Sequence, residues 1–117
     1  MGGLGAVAMA GETDLAAVIN FAGGFAYFSP DCDPMVVTKA FGAFGVTGRV
    51  PTLFVYSEND ALFSPAVAEN FFRAYTKSGG RGEFVKAPAY ANNGHGYFRL
   101  ASSKWRSVVD DFLRKNG

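Results

Sequence analysis

The 117 residues contain one cysteine, one histidine and one tryptophan. A lone cysteine excludes an intrachain disulfide and carries no signal about compartment, so the localisation stays unknown. Charge is sparse too: Asp, Glu, Lys and Arg make up 18% of the chain and the formal net charge is +1. Without a basic stripe, a nucleic-acid partner has no electrostatic support. The apolar opening run, Met1 to Gly11, is far too short to span a membrane. No basic residue precedes it, and Glu12 and Asp14 follow at once, which fits a signal peptide poorly. The myristoylation pattern also fails, because Ala6 stands where Ser or Thr is wanted. Internal repeats and low-complexity tracts are absent, and nothing in the pattern implies a cofactor or a metal. No membrane partner is expected.

What is present is apolar and glycine-rich. Hydrophobic residues make up 49% of the chain, enough for one domain with a modest core. The 15 glycines are scattered between apolar segments, which predicts tight turns and close backbone approaches rather than a linker. Small residues at helical spacing in Met1–Gly11 suit a helix pressed against a sheet. An opening this apolar resembles the inside of a domain more than a natural terminus.

The chain is organised around Pro51-Thr52-Leu53-Phe54-Val55-Tyr56-Ser57-Glu58-Asn59-Asp60. An apolar run this short, bounded by turn signals, predicts a parallel strand buried on both faces. Leu15–Ala22, stopped by Gly23-Gly24, predicts a preceding strand centred on Ala17–Ala22. Glu83–Ala87 predicts a third, near a sheet edge given its charges and Pro88. Between the first two strands lies a turn-rich loop, Phe25 to Pro34, and then a helical spacing over Met35–Phe44, with Gly45–Arg49 closing the segment. Ser64-Pro65 starts a helix running to Lys77, which Gly79-Gly80 ends. The last helix, Leu100 to Lys115, puts Trp105, Val108, Val109, Phe112 and Leu113 on one face. Alternating helices and strands imply an α/β fold with about three parallel strands, helices on both faces and Thr52–Ser57 in the centre.

Chemistry in open α/β sheets collects at the carboxyl ends of the strands. Asp60 follows one strand and His95 the next, so the two can meet above the sheet, the carboxylate fixing the tautomer of the imidazole. The plainer reading makes Asp60 a turn or helix cap and His95 a surface loop residue. Glu58 competes for the carboxylate role from within the turn. Asn92-Asn93-Gly94-His95-Gly96 favours an accessible imidazole, because the flanking glycines leave it free.

These segments resemble a family. The run Pro51 to Asp60, then Gly79-Gly80, Gly94-His95 and Trp105, look like the C-terminal half of α/β-hydrolases of the dienelactone-hydrolase-like group. Val18-Ile19-Asn20-Phe21-Ala22-Gly23-Gly24 resembles the strand after the unit that bears the nucleophile. Met1-Gly2-Gly3 is similar to the tail of the nucleophile elbow, G-x-S-M-G-G. The resemblance implies residues 1–117 as a single incomplete domain, a partial α/β-hydrolase fold. It also implies Asp60 as triad acid and His95 as base, acting on a small-molecule ester or lactone through an acyl-enzyme.

The departure from that family is the nucleophile. No G-x-S-x-G occurs in the 117 residues, and the aligned serine would stand just before Met1. The backbone donor of the oxyanion hole would then be Met1 itself. Cys32 is the other candidate nucleophile, but Asp31 and Asp33 flank it and disfavour the thiolate. A buried or loop cysteine is the plainer account of it. Ser29, Ser57 and Ser64 lie where serine serves turns and caps. Phe25, Tyr27 and Phe28 suit an acyl pocket or simple packing. Two functional readings follow: part of a serine hydrolase that keeps acid and base and is inactive alone, or a non-catalytic α/β binding or assembly module. Ala17–Ala22 should also present an unprotected edge through which the chain self-associates.

Overall fold

Pro51 opens a stretch with no charged residue before Glu58, and in the computed structural model that stretch is the central strand of the sheet. Residues 2–24 and 33–116 are described. In chain order they form α1 (Gly2–Ala8), β1 (Val18–Phe21), α2 (Pro34–Thr47), β2 (Thr52–Ser57), α3 (Pro65–Lys77), β3 (Gly82–Ala87), α4 (Tyr97–Leu100) and α5 (Ser102–Asn116). Short 3-10 turns cover Met9–Gly11 and Gly94–Gly96. The strands make one parallel sheet in the order β1-β2-β3, with Ile19 paired to Leu53 and Val55 paired to Val85. Every residue of β2 is buried, as expected for the central strand of a sheet covered on both sides.

Alternation along β2 divides the core in two. Phe54 and Tyr56 face a cluster that includes Val7 of α1, Val37 and Phe41 of α2, and Phe71 and Tyr75 of α3. Leu53 and Val55 face the other way, toward Tyr97 of α4 and Val109 and Phe112 of α5. Aromatic rings tie the first cluster together: Phe41 stacks on Phe71 at 4.9 Å and Phe54 meets Tyr75 at 5.3 Å. Each such fully buried ring contributes about 1.5–3 kcal/mol. The expected α/β architecture, three parallel strands with helices on both faces, is what the chain adopts.

Several boundaries differ from the sequence expectations, each for a local reason. β1 has four residues rather than Ala17–Ala22, because Ala22 turns to φ +48° and leaves the extended region. α2 begins earlier and runs three residues beyond Phe44. The Asp33 side chain caps it, accepting from Met35 N at 2.9 Å, and Pro34 takes the first turn. Gly45 is a contact rather than a stop: a Cβ there would stand 2.0 Å from Tyr75 O, so glycine lets α2 and α3 touch backbone to backbone. The final helix is two helices, broken at Ala101 (φ −122°, ψ 39°), which lets both Tyr97 and Ala101 turn into the core. Leu113 does not join the apolar face and is 39% exposed. α3 is as expected, with Ser64 Oγ accepting from Val67 N and Gly79 ending it at φ +110°. β1 and β3 form the two edges of the sheet, and among the described residues nothing but β2 pairs with β1.

Candidate active site

The loops after β2 and β3 meet at one end of the sheet. At the end of β2 the chain turns so that Asp60 N donates to Ser57 O at 3.2 Å, which carries the Asp60 carboxylate inward. That side chain has no solvent exposure. Its Oδ1 accepts from Leu62 N at 2.8 Å and Phe63 N at 3.0 Å. Its Oδ2 lies 3.1 Å from His95 Nδ1. One oxygen thus caps the turn and the other meets the histidine. A carboxylate can only accept, so Nδ1 carries the proton and Nε2 is left as the acceptor. The His95 side chain is 37% exposed, and its ring lies 5.9 Å from that of Phe63.

The histidine reaches this position because its loop packs directly on the acid loop. A Cβ on Gly94 would stand 2.1 Å from Ser57 Oγ and 2.3 Å from Asn59 Oδ1, so no larger residue fits there. Gly94 N donates to Asn59 O at 3.1 Å. Two asparagines cross between the loops. Asn59 Nδ2 donates to Tyr90 O at 3.2 Å and Ala91 O at 3.0 Å, while its Oδ1 accepts from Tyr90 N at 2.9 Å. Asn93 Oδ1 accepts from Ala61 N and His95 N, both at 3.0 Å. Neither asparagine stood out in the sequence; the available signal was two amide side chains bracketing the turns that hold the acid and the base.

A closed polar ring joins β1, β2 and the turn after β1. Asn20 Nδ2 donates to the Tyr56 hydroxyl at 3.1 Å, that hydroxyl donates to Gly23 O, and Gly23 N donates to Asn20 Oδ1 at 2.8 Å. Burial pushes the Tyr56 hydroxyl far above its ordinary pKa, the Asn20 hydrogen bond opposes this, and the Asp60 charge adds to it. Close by, Phe21, Val55, Ser57, His95, Tyr97 and Phe98 line a cavity of about 10 Å³. Wider grooves, of about 210 and 260 Å³, border β3 and α5 and contain neither Asp60 nor His95.

Of the other candidates, Glu58 is exposed, and its backbone N bonds to Ala87 O at 2.9 Å, so it takes no part in the pair. The Ser57 hydroxyl is buried with two acceptors in reach, Asn59 Oδ1 at 2.9 Å and Pro88 O at 2.8 Å. Ser64 is a helix cap. Met1, Phe25, Tyr27, Phe28, Ser29 and Cys32 lie outside the described residues. Among the described residues, no three His, Cys, Asp or Glu side chains gather as a metal site would require, and no helix is long and apolar enough to cross a membrane.

An acid holding a histidine at the carboxyl ends of parallel strands invites comparison with known enzymes. The chain superposes on the esterase Pf2001 of Pyrococcus furiosus, with a TM-score of 0.68 at 13% identity, over 98% of this chain and 51% of that one. Its fold is esterase-like. Two further crystal forms of the same esterase match with TM-scores of 0.58 at 14% identity, over 99% and 97% of this chain and 50% and 49% of theirs. The chain thus spans about half the length of the esterase it matches. No family model matches the sequence, and no curated protein matches it.

Proposed function

We propose that this chain carries the acid and base of a serine hydrolase acting on a carboxylic ester or lactone, in the manner of the dienelactone-hydrolase-like group. The observation that carries the reading is the fully buried Asp60 carboxylate bonded to the half-exposed His95 at 3.1 Å. In this arrangement Nε2 takes the proton of a nucleophilic hydroxyl as it attacks the ester carbonyl. His95 then returns the proton to the leaving alcohol, forming an acyl-enzyme. Asp60 fixes the tautomer and stabilises the imidazolium that forms between these steps. The nucleophile would come from chain outside these 117 residues, together with the other oxyanion donor, and Met1 would supply the backbone donor after it. The missing G-x-S-x-G and the half-length match to the esterase support this division.

The 117-residue chain alone is therefore expected to be inert toward activated esters. Loss of a triad nucleophile costs on the order of a million-fold in turnover. Slow imidazole hydrolysis of a nitrophenyl ester, without burst or acyl-enzyme, is all that should remain. The test compares this chain with a version extended upstream through a G-x-S. The extended protein should turn over, and Asp60→Asn should lower its turnover by about 10⁴-fold, because an amide at 60 favours the wrong tautomer. His95→Ala should abolish it. If the extended protein is inactive but folded, the chain is a non-catalytic binding or assembly module. A stoichiometric burst from the short chain that Cys32→Ser removes would make Cys32 the nucleophile.

A further inference from the structure

We infer that Asn59 and Asn93 are positioning residues, whose side chains cross between the two loops and hold the His95 imidazole on Asp60 as the Nδ1–H tautomer. The need for such a device follows from where the sheet stops. The β2–β3 ladder ends at Ser57 paired to Ala87, three residues before Asp60 and eight before His95. Beyond that point strand pairing does not set the distance between acid and base. The imidazole itself is tied by one side-chain bond and is 37% exposed. A single bond to a partly exposed ring competes with water and does not by itself hold the ring in one orientation.

The two asparagines supply the missing constraint reciprocally. Asn59 belongs to the acid loop and makes three bonds to Tyr90 and Ala91 of the base loop, 31 and 32 residues away. Asn93 belongs to the base loop and accepts from Ala61, 32 residues back and next to Asp60, while the same oxygen accepts from His95 N. An asparagine serving its own turn bonds within two or three residues. The Asn93–His95 and Ser57–Asn59 bonds have that local character. The others join distant loops, and Asn93 links the residue after the acid directly to the backbone of the base. Ala91 is held at φ +48°, a conformation costly for alanine, with its carbonyl on Asn59 Nδ2.

This concerns what holds the pair rather than what the pair does, and it is testable on the 117-residue chain without any activity. The chain has one histidine, so the ¹⁵N spectrum of its imidazole is unambiguous. The parent chain should show a single Nδ1–H tautomer. Asn59→Ala and Asn93→Ala should give mixed tautomers and about tenfold faster solvent exchange of the Nδ1 proton. Asn93→Ser, which keeps a local acceptor for His95 N but falls short of Ala61, should behave like Asn93→Ala. Asn93→Asp, which keeps the acceptor oxygen, should retain the single tautomer. Amide dispersion of β2 and β3 reports whether each variant is folded. If the folded asparagine variants keep one tautomer and the parent exchange rate, the inference fails. If tautomers mix as expected while the extended protein hydrolyses no ester, the clasp stands and the functional reading falls.

Discussion

Phenylalanine at 56 would fill the same space as Tyr56, yet the chain places a hydroxyl there and surrounds it with Asn20 and Gly23. Tyr56→Phe would leave Asn20 Nδ2 and Gly23 O without their partner, at a cost of about 1–3 kcal/mol at neutral pH. The same burial dictates how stability responds to base. Tyr56, Tyr75 and Tyr97 are all raised above the ordinary tyrosine value of 10.0, each chiefly by burial. The folded chain therefore keeps protons that the unfolded chain gives up above about pH 10. Their stabilisation is complete below that pH and is lost as pH rises beyond it. Urea midpoints should be flat up to there and then fall. In Tyr56→Phe the midpoint should start lower and fall less steeply; an unchanged alkaline slope would acquit Tyr56. At this scale the meeting of Asp60 and His95 was legible because each follows one of two neighbouring parallel strands, whose carboxyl ends lie side by side. Asn59 and Asn93 were not, because asparagine in a turn always has a local excuse.

Within α2 two glycines have opposite meanings that the sequence does not separate. Gly45 faces Tyr75 O, where an added Cβ would collide with backbone at 2.0 Å. Gly42 has nothing nearer to such a Cβ than 3.6 Å. Gly45→Ala should force α2 off α3 and destabilise by about 1–3 kcal/mol or more. Gly42→Ala should stabilise by about 0.5–1 kcal/mol through helix propensity. Thermal melts of the two variants should move in opposite directions, and a shared sign would refute the contact. Elements bounded by side-chain chemistry were read well from sequence: β2 by its proline and turn, α3 by its Ser-Pro start and glycine stop. Elements bounded by contact were not, since Gly45 looks like a stop until its neighbour is seen. Ala101 gives no sign that α4 and α5 part there, because an alanine is at home anywhere in a helix.

For the whole molecule, the sheet order was legible because Thr52–Ser57 is uncharged and apolar enough for the centre, whereas the charges of Glu83 and Lys86 put β3 at an edge. Val18 N and Ala22 N both donate toward β2, so by alternation the N–H groups of Ile19 and Phe21 point away from it. Unpaired strand edges invite self-pairing. The chain is expected to self-associate through β1, seen as a sedimentation coefficient that rises with concentration. Ile19→Pro removes one outward donor without touching the β1–β2 ladder, and it should weaken the association. Monomeric sedimentation at high concentration would count against a sticky edge.

The turn joining α3 to β3 exposes Ser78, Gly79 and Arg81, and the side-chain bonds of Asp60 and the bonds of His95 go to other residues. What binds the two loops is β2 against β3 and two asparagines, not the covalent path through α3. A protease cut at that turn would accordingly leave Asp60 on one fragment and His95 on the other. The seam at which the halves recognise each other would then be the β2–β3 ladder, with Asp60 and His95 meeting across its end.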